Sequence, residues 1–318
     1  MLRKLFGLVG KTAPDSIFGK DVIVSNYHGY GIDALNREIV DKKLENLVLA
    51  TLEKRRPKCE VVVNLTSFPA RIHEVHYVLL SLLSQSLLPS RIILWLSREE
   101  FPQGMDELPE TLIRMIGFGV HIEWCRNLRA YTKLVPALQL YPTFVHVTAD
   151  DDIFYHRDWL KELYEEFKQH GEGFIYAHRA HRICLNESGL EKYCNWEREI
   201  SDGVPSFLNL ATGVGGVLYP INCLWPLVTD SEKFMEITPA NDDLWFWAMA
   251  VLNNRNTRVT KNRHRLVYIN PERELRLNGE FTLAQENVVN SANDRQLKRI
   301  VECFPVILEK LYEAVDKN

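Results

Sequence analysis

Three consecutive carboxylates, Asp150, Asp151 and Asp152, follow the apolar run FVHVTA and precede Ile153, Phe154 and Tyr155. Adjacent carboxylates repel one another, and burial of any of them disfavours its charge, so a nearby cation is the natural remedy. A divalent metal suits the position: Mg2+ and Mn2+ take hard oxygen ligands, keep several waters, and use one or two carboxylates together with substrate phosphates. The alternative is a solvated turn in which one Asp caps a helix starting near 157. Spacing excludes two other acidic motifs. A DDxxD diphosphate motif needs Asp at 154 or 155, where Phe154 and Tyr155 stand, and a DxDx[TV] phosphatase nucleophile fails at Phe154. A two-metal nuclease is a further rival. A net charge of −4, a pI near 6.2 and the lack of a basic stripe count against it.

Other polar clusters carry less specific signals. His73 and His76 in HEVHY are spaced i, i+3, not the i, i+4 of HExxH, and read as helix-surface residues. Gly213, Gly215 and Gly216 in TGVGGV fit neither GxGxxG nor GxxxxGK[ST]; they indicate close backbone approach to a ligand or a strand bulge. Asn241, Asp242 and Asp243 open an aromatic-rich segment, where two acids suit a helix N-terminus.

The elements that must hold these residues alternate. Apolar spacing predicts an amphipathic helix over 31–56, then strands at 60–65, 91–96, 119–124 and 143–148, with helices at 73–86, 107–116 and 131–140 between them. A helix at 157–168, a strand at 173–177, a helix at 242–252, short strands over 257–269 and an apolar-periodic segment from 294 follow. Such alternation implies βαβ units and a parallel sheet, with ligands beyond the carboxyl ends of its strands, where Asp150–Asp152 lie. Apolar residues at 46% and charged residues at 25% of 318 suit a folded enzyme. Six scattered cysteines without CxxC spacing read as reduced thiols. The start, MLRKLFGLVGK, has too short an apolar run for a signal or a membrane span; it is a terminus that either frays, packs or touches a membrane surface.

Taken in order, VVVNLTSFPARI (61–72), SLLSQSLLPSRIILWLS (81–97), YTKLVPAL (131–138), VTADDDIFY (147–155), TGVGGVLYP (212–220) and NDDLWFWAMAV (241–251) resemble the GT-A fold, nucleotide-sugar-dependent glycosyltransferases of bacterial capsule and lipopolysaccharide assembly. The resemblance implies a Rossmann-like α/β fold with a mixed, mainly parallel sheet flanked by helices. It places a catalytic domain at 58–270 between helical extensions at 1–57 and 271–318. It assigns the nucleotide to Thr66, Ser67 and Pro69, with Arg71 and Lys133 facing the diphosphate, and a DxD element to Asp150 and Asp152, with Asp151 alongside. Asp152 is the direct metal ligand on this reading. Gly215 and Gly216 would border donor or acceptor, Asp242 or Asp243 would take the proton of the attacking hydroxyl, and His264 would complete the metal shell. Ordinary roles stand beside these: a surface charge for Arg71, a solvated His264 among Lys261, Arg263 and Arg265.

The implied function is a metal-dependent transfer, with Mn2+ or Mg2+, of sugar from a UDP-sugar or related nucleotide-sugar donor to a glycan or lipid-linked acceptor. It would take place in the cytoplasm, with no nucleic-acid partner, peripheral contact with the inner membrane and oligomeric state being left open. A metal-dependent phosphoesterase and a noncatalytic carbohydrate-binding protein are the alternatives from other classes.

Overall fold

The computed structural model describes residues 20–45, 58–187, 189–261, 264–275 and 291–316. Ile23–Val24 (β1) and Asp33–Leu35 (β2) precede the central strands Lys58–Thr66 (β3), Leu88–Ser97 (β4), Val120–Cys125 (β5), Val145–Thr148 (β6) and Phe174–Ala177 (β7). Two short antiparallel ladders follow, Ala180–Arg182 (β8) with Asn209–Ala211 (β11) and Leu185–Asn186 (β9) with Gly189–Leu190 (β10). Val217–Tyr219 (β12), Asn256–Val259 (β13) and Val267–Tyr268 (β14) complete the set.

Seven strands form the central sheet in the order β13-β7-β12-β6-β3-β4-β5. All neighbours pair in parallel except β12, which runs antiparallel to both β6 and β7. The expected α/β class, a mixed and mainly parallel sheet flanked by helices, is therefore present. Strands β3 and β4 are apolar on both faces because helices cover both, as parallel sheets require. Asn64 is the polar exception within β3. It is fully buried, accepts from Trp95 Nε1 at 3.1 Å, and donates to the Val62 carbonyl at 3.0 Å.

The direction of β12 matters for the site. Because it runs against its neighbours, the glycine loop that precedes it lies at the same sheet edge as the ends of β3 and β6. Three distant segments thus meet at one edge.

Three expectations change, the first at His76, expected on a helix surface but 4% exposed within the helix Val75–Leu83. Residues 33–35 form strand β2, paired with β1 and β14, and the helix begins only at Arg37 (Arg37–Glu45). Gly29 and Gly31, both at φ +81°, turn the chain before β2, and buried Asp33 holds it through Arg265 at 3.1 Å. The rest of the expected 31–56 helix, the N-terminal start, and residues 276–290 lie outside the described residues. The expected 131–140 helix is broken into a 3-10 turn (Arg129–Lys133) and a helix (Val135–Leu140), with Pro136 in its first turn. In the C-terminal part, helices Ala292–Cys303 and Val306–Asp316 pack on the helix Asp242–Leu252. No helix of the described residues is long and apolar enough to cross a membrane. All six cysteines are free thiols.

Four buried imidazoles favour their neutral form, burial lowering that of His76 as well as those of His146, His178 and His181. Burial pushes His146 and His178 down to about 4; burial and then the charges of Arg179 and Arg198 push His181 down to about 2. The unfolded chain protonates these groups near pH 6.5 and the folded one does not, so their stabilisation is complete above that pH and is lost as pH falls. Urea midpoints at pH 7.5, 6.5 and 5.5 are expected to fall, by up to about 1.4 kcal/mol per pH unit for each imidazole below pH 6. The raised carboxyls of Asp152 and Asp243 bind protons first in the folded chain and oppose this fall, so the imidazole share is read in an Asp152→Asn/Asp243→Asn background, where a flat profile would contradict neutral burial.

Candidate active site

The acidic triplet leaves the end of β6 and is divided among different partners. Lys133 Nζ lies 2.8 Å from Asp150 Oδ1 and 3.0 Å from Asp242 Oδ2, with only 8% of its side chain exposed. Desolvation works against its charge, but Asp150, Asp242 and Asp243 together raise the Lys133 pKa well above the ordinary value, so it stays protonated. Arg71 Nη1 lies 2.6 Å from Asp151 Oδ1 and 2.7 Å from Asp152 Oδ2. Ser67 Oγ donates to the other oxygen of Asp151 at 2.7 Å. Two buried cations therefore divide four carboxylates.

Asp243 is the fifth carboxylate. Both its oxygens accept from the Gly213 N–H, at 3.0 and 3.1 Å. A Cβ at Gly213 would sit 2.9 Å from Lys133 Nζ, 3.0 Å from Asp243 Oδ1 and 3.5 Å from Asp150 Oδ1, so a side chain there would displace the groups that converge on it. Burial, then the neighbouring Asp242 charge, pushes the Asp243 carboxyl up. Asn241 caps the helix Asp242–Leu252 by accepting from the Leu244 N–H at 3.0 Å. The cap is thus Asn241, which leaves Asp242 and Asp243 for the cleft.

Two aromatic residues tie the triplet to the glycine loop. Tyr155 Oη accepts from the Asp150 N–H at 2.7 Å and donates to the Val214 carbonyl at 3.4 Å. Trp159, packed on Tyr155, donates from Nε1 to the Gly215 carbonyl at 2.7 Å. Gly216, at φ +94°, brings its α-carbon so close to the Trp159 ring that a Cβ would lie 2.4 Å from it; a Cβ at Gly215 would lie 2.7 Å from Arg179 Cβ. Gly215 and Gly216 serve packing against Trp159 and Arg179, and Gly213 is the glycine that faces the acids. Neither Tyr155 nor Trp159 was singled out by sequence, although a Tyr five residues after Asp150 was the available sign.

The nucleotide-loop residues are present where β3 ends. Thr66 Oγ1 donates to the Trp95 carbonyl at 2.9 Å, Ser67 serves Asp151, and Pro69 lies in the turn between Ser67 and Arg71. Phe68, exposed in the same turn, lies under the Arg71 guanidinium at 5.6 Å. The alternative of a turn in which one Asp of the triplet caps the next helix is not seen: the helix Trp159–His170 starts after Asp158, so no member of the triplet caps it.

His264 joins a different group. Its Nε2 is 2.6 Å from Glu162 Oε2 and its ring stacks on His156 with centroids 3.8 Å apart. Among the described residues, His156, Glu162 and His264 are the His/Cys/Asp/Glu set whose ligand atoms converge within 4.8 Å, and neither Asp150 nor Asp152 belongs to it. The expected set of Asp150, Asp152 and His264 is therefore not assembled. Helix Trp159–His170 supplies Glu162, which draws His264 to itself.

A divalent cation fits the triplet at one atom. Asp152 Oδ1 is buried and has no hydrogen-bond partner among the described residues, and burial pushes the Asp152 carboxyl up despite Arg71. A carboxylate with a dry, unpartnered oxygen suits an ion that takes its remaining ligands from phosphates and water.

No family model and no curated protein matches this chain. Among solved structures, it is similar to S. aureus TarS residues 1–349 at 13% identity and a TM-score of 0.42, over 67% of this chain and 61% of that one. It is also similar to the T. maritima inositol-1-phosphate CTP transferase at 11% identity and a TM-score of 0.35, over 65% and 86% of the two chains. The Francisella tularensis 2-C-methyl-D-erythritol 4-phosphate cytidylyltransferase gives 12% and 0.38, over 70% and 98%. The chain thus spans less than two thirds of the TarS chain, and values this low assign no activity.

Proposed function

We propose that this chain is a GT-A-type glycosyltransferase that moves a sugar from a nucleotide-sugar donor, a UDP-sugar first among them, to a hydroxyl of a glycan or lipid-linked acceptor. The observation that carries this reading is the convergence of Asp150, Asp151, Asp152, Asp242 and Asp243 with Arg71 and Lys133 at the carboxyl edge of a mainly parallel sheet. Bacterial surface-polysaccharide synthesis on the cytoplasmic side of a membrane is the setting that the sequence resemblance supports.

Each group has a task on this reading. Arg71 meets the diphosphate, for which its planar fork suits it. Asp152 would hold Mn2+ or Mg2+, which when bound supplies positive charge to the departing diphosphate. Lys133 fixes Asp150 and Asp242. Asp243 takes the proton of the acceptor hydroxyl as its oxygen bonds to the sugar carbon, while the bond from that carbon to the phosphate oxygen breaks and its electron pair leaves with the nucleoside diphosphate.

Thermal unfolding of the wild type and of Asp152→Ala, with UDP, GDP or CMP and with or without Mn2+, tests the donor site. One nucleotide is expected to stabilise the wild type, by about 2.7 kcal/mol at 100 times its Kd, and only with Mn2+ and an intact Asp152. Absence of a shift with every nucleotide at millimolar concentration would overturn the reading.

A further inference from the structure

The cation position of the triplet is filled from within the chain. One nitrogen, Arg71 Nη1, bridges Asp151 and Asp152 at 2.6 and 2.7 Å. The arrangement satisfies Asp151, whose second oxygen has Ser67, but it leaves each member of the Arg71–Asp152 pair with an unmet group. Among the described residues, Arg71 Nε is buried without an acceptor, and Asp152 Oδ1 is buried without a donor. Both needs are met at once by a single kind of ligand: a divalent cation for Asp152 Oδ1, carried by a diphosphate whose oxygens can accept from the Arg71 fork.

We propose that Arg71 is a latch on the cation site, so that the free protein excludes a divalent ion and admits it only as the complex with a nucleoside diphosphate, whose phosphates draw the guanidinium from Asp152. The proposal rests on the donor reading for its nucleotide half alone. Exclusion of the bare ion follows from charge: an ion arriving without phosphates meets a fixed guanidinium at the carboxylates it needs, with only 20% of the Arg71 side chain exposed and Phe68 packed beneath it. Linkage then makes the coupling mutual. The factor by which the nucleotide raises ion affinity is the factor by which the ion raises nucleotide affinity.

The latch is tested by the electron paramagnetic resonance signal of free aqueous Mn2+, titrated with full-length protein. Wild type alone is expected to leave the signal unchanged, and wild type with one of UDP, GDP or CDP to deplete it. Arg71→Gln is expected to deplete it without nucleotide, with an affinity at least about tenfold above that of the wild type, one tenfold step being the least that separates them. Adding Asp152→Asn to that variant should abolish the gain. Arg71→Met poses the same question if circular dichroism shows the glutamine variant unfolded. Wild type binding bare Mn2+ as tightly as the Arg71 variants would overturn the latch. If the variants bind bare Mn2+, the wild type does not, and no nucleotide recruits it, the hold of Arg71 on the site is upheld and the donor reading fails.

Discussion

Lys133→Met is expected to cost about 3–5 kcal/mol of stability, because it leaves two carboxylates without their shared buried cation. Asp150 and Asp242 come from segments 17 and 109 residues away, the separations of 133 from 150 and from 242, and among the described residues no other basic side chain is paired with either. Lys133→Arg is no remedy: Nζ already lies 2.9 Å from where a Gly213 Cβ would be, and a guanidinium is bulkier than an ammonium. The double variant Lys133→Met/Asp242→Asn is expected to recover the larger part of the loss by removing one stranded charge, since the cost of a broken buried pair lies mostly in the partner left behind. Urea unfolding of the three proteins measures this. A loss below about 1 kcal/mol in Lys133→Met would mean that water, not Lys133, serves these acids.

How much of this was legible in the sequence depends on distance along the chain. The strand ending in Asp150 was legible because the apolar run and the triplet are contiguous, and the helix opened by Asn241 because its cap and first turn are local. Lys133 was marked for the diphosphate; its pairing with Asp150 and Asp242 is set by tertiary contacts that periodicity does not carry. The same holds for His264, whose partner Glu162 lies 102 residues earlier. Which glycine of TGVGGV faces the acids was not legible either, since it depends on β12 running antiparallel and on Trp159 filling the space beside Gly216. The strand β2 was read as helix because Leu35 fits the spacing of the helix that starts two residues later.

Asp242 and Asp243 are adjacent and chemically alike, yet their substitutions are expected to fail differently. Asp242 is 7% exposed and engages Lys133, whereas Asp243 is less buried and faces Gly213 and Asp150 across the cleft. Its carboxyl is pushed up by burial and by the charge of Asp242, which suits a general base, since a base is most effective with a pKa near working pH. Asp243→Asn should therefore lower kcat by about 10²–10⁴-fold while donor affinity stays near that of the wild type. The sign of the pH effect follows: a base must be ionised to act, so wild-type turnover rises with pH through the raised Asp243 value, and that limb should vanish in Asp243→Asn. Asp242→Asn should instead lower stability and donor affinity together, because it releases Lys133 and with it Asp150. Turnover, donor affinity and urea midpoints, measured on both variants with the donor identified by thermal unfolding, separate the two roles. Loss of the pH limb in Asp242→Asn, with Asp243→Asn retaining it, would exchange them and make Asp243 the residue that holds the glycine loop in place.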